Sequence, residues 1–115
     1  MKDYDTGRIR NICLLSHGGA GKTTLAEAIM FNTGALDRLG KVTDGNTTCD
    51  YDQEEIRRTI SINTAMGPCE WKESKINLID TPGYFDFVGE VMQGIRVADS
   101  ALIVVPAKDG IEVGT

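Results

Sequence analysis

Ser16-His17-Gly18-Gly19-Ala20-Gly21-Lys22-Thr23 is the stretch on which the reading of this chain turns. Three glycines within four positions leave backbone N–H groups free to point inward with no Cβ in the way, as a cluster of phosphate oxygens requires. Residues 12–15 just before it form an unbroken apolar run, the pattern of a strand buried on both faces of a parallel sheet. Lys22, Thr23 and Thr24 open a segment with Leu25, Ala28 and Ile29 at helical spacing, which stops at Gly34. The order strand, glycine loop, helix aims the positive end of a helix dipole at the loop, lets Lys22 reach the β and γ phosphates and offers the Thr23 hydroxyl to magnesium. The general pattern is GxxxxGK[ST], and Ser16 stands at its first glycine. His17, the single histidine, reads as positional rather than catalytic.

Working downstream, residues 35–58 are polar, with an acidic group at Asp50, Asp52, Glu54 and Glu55 that reads as solvated loop surface. A loop of this length in a compact domain points to function, so 35–61 is the candidate switch loop, with Ser61 or Thr59 to complete a magnesium shell. Ile60, Ile62 and Thr64 alternate with polar neighbours, and Cys69 and Trp71 lead to a polar turn at 72–74 and an apolar strand at 75–79, so a hairpin is expected. Asp80-Thr81-Pro82-Gly83 ends that strand, placing a carboxylate where it can reach the metal shell and the Gly83 N–H where it can sense a γ phosphate. Val88, Val91, Met92 and Ile95 follow at amphipathic-helix spacing, and 101–105 is a further strand. These elements predict an α/β fold of the P-loop NTPase type: a doubly wound, mostly parallel sheet with one antiparallel hairpin strand.

With 115 residues the chain is at most one domain, and its 41% hydrophobic and 25% charged residues are ordinary for a folded protein. The net charge of −5 disfavours nucleic acid or anionic membrane as a partner of the whole surface, so any phosphate site must be built locally. Cys13, Cys49 and Cys69 are odd in number and lack a CxxC pair, which argues for reduced thiols rather than a disulfide or metal framework. No stretch approaches the ~18 apolar residues of a membrane span, and a cytoplasmic protein is expected.

The phosphate loop through Thr24, Arg58-Thr59-Ile60-Ser61, Asp80-Thr81-Pro82-Gly83-Tyr84 and Phe85-Asp86-Phe87 together resemble translational GTPases, with elongation factor G and its paralogues the best fit. The resemblance implies GTP and GDP as ligands, Mg2+ held by Thr23, Ser61 and Asp80, and hydrolysis stimulated by the ribosome. The nucleotide-binding residues it implies are Ser16, His17, Gly18, Gly19, Ala20, Gly21, Lys22, Thr23, Thr24, Asp80, Thr81, Pro82, Gly83 and Tyr84, with Lys22 and Tyr84 as candidate catalytic groups. Three departures stand out. Gly19 replaces the family's usual Asp, which is associated with a monovalent cation; Arg58-Thr59-Ile60-Ser61 replaces RGIT but keeps a hydroxyl; and Tyr84 stands where the family's DTPGH motif places the histidine that positions attacking water. A tyrosine titrating near ~10 cannot supply the cation that a histidine near ~6.5 can, so hydrolysis slower or differently stimulated than in ordinary elongation factor G is expected. A nucleotide-dependent binding module with decayed hydrolysis, a ribosomal protection or release-factor GTPase, and an unrelated P-loop ATPase or kinase are the competing readings. The family's guanine-reading NKxD motif does not occur within these residues, so 1–115 reads as the N-terminal part of a GTP-binding domain, truncated before the last strands. The strand at 101–105 is then expected at an open edge, and the isolated chain is expected to bind GTP weakly.

Overall fold

The computed structural model describes residues 2–115 except Tyr51, Thr59, Ile60, Ser61, Tyr84, Phe85, Asp86 and Gly114, together with all but the side chain of Val42. The expectations placed on Ser61, Thr59, Tyr84 and the Phe85-Asp86 pair therefore lie outside the described residues.

The first strand, β1 (Ile9–Leu15), is longer than its apolar run because it pairs in parallel with β3 (Ser74–Asp80) from Ile9 opposite Lys75 to Leu14 opposite Asp80. On its other side β4 (Ser100–Ile103) is also parallel, and β2 (Ala65–Trp71) lies antiparallel outside β3, which gives the sheet order β2-β3-β1-β4. The β2–β3 hairpin closes through Lys72 and Glu73, both at positive φ (47° and 60°), the backbone that a two-residue turn matched to strand twist demands. Ser74 belongs to the strand and pairs with Trp71 rather than forming part of the turn.

Successive residues of a strand face opposite sides of a sheet, and here each side has its helix. Leu14 and Leu78 pack with Met30 and Ala26 of α1 (Lys22–Asn32), while Cys13 and Ile79 face Gly94 of α3 (Val88–Val97). Full burial of Leu14, Met30 and Leu78 contributes about 1.5–3 kcal/mol each. Gly94 lets α3 sit close: a Cβ there would stand 2.7 Å from Thr81 Cγ2 and 3.2 Å from Cys13 Sγ. The doubly wound fold expected from the sequence is the fold observed, and β4 occupies an edge with all four residues exposed.

Several local expectations are corrected. The helix expected from Leu25, Ala28 and Ile29 is present as α1, but those three are half-buried and its most buried face carries Lys22, Thr23, Ala26, Glu27 and Met30, so the loop-facing residues and the core-packing ones share one side. The apolar stripe of α3 is also less covered than its spacing implies: Val88, Met92 and Ile95 are exposed, and Val88, Val91 and Ile95 line one wall of a cavity of about 240 Å³ beside Ser16, Thr81 and Gly83. Ile62 and Thr64 are not in a strand, since the N–H groups of 62–64 are taken by carboxylates instead of a ladder. Nor is the acidic group simply solvated. Asp50 and Glu55 are buried, while Glu54 stays on the surface of the short α2 (Gln53–Arg58) with Arg57 and Arg58.

All three cysteines are free and buried, and burial pushes their thiols upward, most strongly for Cys49. No helix among the described residues is long and apolar enough to cross a membrane.

Candidate functional site

Because β1, β3 and β4 run in parallel with Leu14 opposite Asp80 and Leu15 opposite Ile103, their carboxyl ends share one edge of the sheet, where ligands of such folds bind. The phosphate loop leaves β1 at this edge. Gly19 (φ 79°) and Gly21 (φ 93°) adopt the left-handed backbone that a side chain would strain, and Gly21 is the N-cap of α1. Lys22 folds back over the loop, with Nζ donating to Ser16 Oγ at 3.0 Å, and is almost fully buried. Burial pulls its ammonium below the usual lysine range, opposed by the charges of Asp80 and Asp50.

Across the edge, Thr23 Oγ1 donates to Asp80 Oδ2 at 2.5 Å. The other carboxylate oxygen, Oδ1, is buried and accepts no hydrogen bond among the described residues. Burial is the main force raising the Asp80 carboxyl to about 6; Asp50 and Glu55 add to the rise, and the Thr23 bond and Lys22 oppose it. A buried carboxylate oxygen left without a donor, next to a hydroxyl, is a hard oxygen donor set suited to magnesium completed by phosphate and water. No group of three or more His, Cys, Asp or Glu able to hold a metal alone occurs among the described residues, and a magnesium ion at this edge would draw most of its ligands from the nucleotide and solvent. Thr23 and Asp80 thus fit the ion.

Thr81 Oγ1 donates to the Leu14 carbonyl at 2.7 Å, locking the turn after β3 to the end of β1. Gly83 then passes so close to the loop that a Cβ would meet Gly18 N and Lys22 Nζ at 2.7 Å. Ser16, Gly18, Lys22, Thr23, Asp80 and Gly83 are therefore brought together, whereas Thr24 points outward to solvent. The His17 ring, also buried, contacts Thr115 Oγ1 at 2.9 Å and the Glu112 carboxylate at 3.5 Å.

The residues that hold the 35–64 loop were not apparent from the sequence. Glu27, on the buried face of α1, accepts the N–H groups of Gly40 (3.1 Å) and Thr48 (3.0 Å). Gly40 is needed there, since a Cβ would come within 2.6 Å of Glu27 Oε1. Glu27 lies one helical turn after Thr23, and a carboxylate on the face set by a functional threonine was the available signal.

A strand, a glycine loop with a buried lysine, a helix, and an aspartate paired to the helix threonine from the neighbouring strand define the class: a P-loop nucleotide-binding domain. The family model of the Elongation factor Tu GTP binding domain matches residues 7–115, and the chain belongs to that family. It is 46% identical over 109 residues to an elongation factor G-like protein of Mycobacterium tuberculosis (strain ATCC 25618 / H37Rv), covering 95% of this chain and 15% of that protein. Over 108 residues it is 44% identical to the tetracycline resistance protein TetM from transposon Tn1545 of Enterococcus faecalis, covering 94% and 17%. A crystal structure of a Thermus thermophilus protein superimposes with a TM-score of 0.91 at 42% identity, covering 94% of this chain and 16% of that one. The chain thus spans about a sixth of the length of these relatives.

Proposed function

We propose that the protein is a GTP-binding and GTP-hydrolysing translation factor of the elongation factor G type that acts on the ribosome in the cytoplasm. The observation that carries this reading is the junction of Lys22 on Ser16 with Thr23 on Asp80 at one sheet edge, in a chain of this family. In this reading Lys22 and the N–H groups of the loop hold the β and γ phosphates, and Thr23, Asp80 and the Ser61 hydroxyl hold Mg2+. The ion supplies charge neutralisation of the phosphates. Gly83, packed on Gly18 and Lys22, meets the γ phosphate, and 35–61 is the switch loop. Guanine recognition follows from the matched GTP binding domain, and the ribosome as partner from the resemblance to elongation factor G.

Tyr84 gives the proposal its sharpest test. A neutral phenol orients water without offering a positive charge, so single-turnover GTP hydrolysis by the full-length protein on ribosomes should rise at least about tenfold in Tyr84→His. Equal rates with either residue would remove the case for slowed hydrolysis. Gly19 and Tyr84 also favour a second reading, a nucleotide-dependent binding module without turnover. Ribosome-stimulated phosphate release by the unaltered protein excludes it. A ribosomal protection or release-factor GTPase, which the same family resemblance allows, is a variant of the first reading.

A further inference from the structure

Backbone N–H groups of loops usually find water or other backbone, but in 40–64 the N–H groups of Gly40, Thr48, Asp52, Ile62, Asn63 and Thr64 are accepted by glutamate side chains. Glu27 takes the first two from α1. Glu55 takes the next three from within the loop, at 3.1, 2.9 and 3.3 Å. The last is different in kind. Glu90 belongs to α3, the helix that follows the Asp80-Thr81-Pro82-Gly83 turn, and its Oε2 accepts the Thr64 N–H at 2.8 Å. The contact is doubled, because Thr64 Oγ1 donates to the Glu90 backbone carbonyl, also at 2.8 Å.

Thr64 is one residue before β2, whose first residue, Ala65, is paired with Asp80. Thr64 therefore stands at the junction of the 35–64 loop, the strand that carries Asp80, and the helix beyond Gly83. We propose that Glu90 is a positioning residue that latches the end of the 35–64 loop to α3, so that both segments flanking the phosphate site respond to the nucleotide as one unit. The coupling it provides rests on the functional reading above, while the latch itself does not. A displacement of the Gly83 turn by a γ phosphate would pass through α3 to Glu90 and from there to Thr64, three residues beyond the Ser61 hydroxyl. A ligand shifts such a unit only through contacts that differ between states, so removing the latch should affect triphosphate and diphosphate unequally.

The test uses full-length protein and reads two quantities. In the nucleotide-free state, exchange of the Thr64 amide hydrogen should be at least about tenfold faster in Glu90→Ala than in the unaltered protein, reflecting loss of a charge-assisted bond. Release of a fluorescent non-hydrolysable GTP analogue should be about five- to tenfold faster in Glu90→Ala, with GDP release changed by less than about twofold. Glu90→Gln, whose amide oxygen still accepts the Thr64 N–H, should restore most of both. Thr64→Val deletes only the hydroxyl contact and should shift analogue release the same way by about threefold, which keeps the question open to measurement if Glu90→Ala does not fold. Unchanged exchange, equal acceleration of both nucleotides, or a Glu90→Gln protein as defective as Glu90→Ala would overturn the proposal. Failure of the unaltered protein to bind guanine nucleotide would sink the functional reading instead, with the exchange result still deciding the latch.

Discussion

Lys22→Ala is expected to weaken binding of GTP by the full-length protein at least about a hundredfold, because two charge-assisted contacts to phosphate oxygens are each worth roughly 1.5–3 kcal/mol. The structure adds a reason why its place is not easily taken by another cation among the described residues. Lys22 is buried between the loop and the Gly83 turn, it is held on Ser16 Oγ, and Asp80 and Asp50 are the charges acting on it. Burial already penalises its ammonium, so a phosphate that approaches finds a poorly solvated charge whose attraction is screened little by water. Lys22→Arg should fail nearly as badly. The planar guanidinium does not fit where a single added Cβ on Gly83 would stand 2.7 Å from Nζ. Displacement of a fluorescent GTP analogue measures both variants, and affinities within about threefold of the unaltered protein would refute this role.

The phosphate loop was legible because its chemistry is backbone chemistry: Gly19 and Gly21 announce positive φ, and the apolar run before Ser16 announces a buried strand. Asp80 was legible for a related reason, as a carboxylate closing an apolar strand. What the sequence hid were the interactions in which a polar side chain is buried to satisfy a distant backbone. Glu27 and Glu55 look like surface residues by type, yet each is buried as the acceptor of N–H groups contributed by a loop whose course no periodicity reveals. The same gap explains the misreading of Ile62 and Thr64 as strand: alternation was present, but Glu55 and Glu90 take the N–H groups a ladder would need. The helix α1 was legible from the spacing of Leu25, Ala28 and Ile29, but not that Lys22, Thr23 and Glu27 share its most buried face with Ala26 and Met30.

Asp80→Asn is expected to act in opposite directions on stability and on binding. In the ligand-free fold the Asp80 carboxyl is raised from 3.8 to about 6, chiefly by burial. A carboxyl raised on folding favours its neutral form, so folding stability is unaffected by it below about pH 4, falls as pH rises toward 6, and carries the full penalty at pH 7, on the order of 2–3 kcal/mol. Asparagine keeps the shape and an oxygen to accept from Thr23 Oγ1 but has no charge to bury. The ligand-free Asn variant should therefore be more stable than the unaltered protein at pH 7.5 by about 1–3 kcal/mol, with the difference vanishing near pH 4, as urea unfolding would show. Its magnesium-dependent affinity for GTP should fall at least about a hundredfold, since the buried oxygen that lacks a donor, Oδ1, is the one a divalent cation or its bound water would satisfy. A variant less stable than the unaltered protein at pH 7.5 would mean that Lys22 and Thr23 already compensate the charge without an ion. Gain of stability with loss of binding would mean that Asp80 is kept ionised and buried at a cost to the fold, which only an incoming cation offsets.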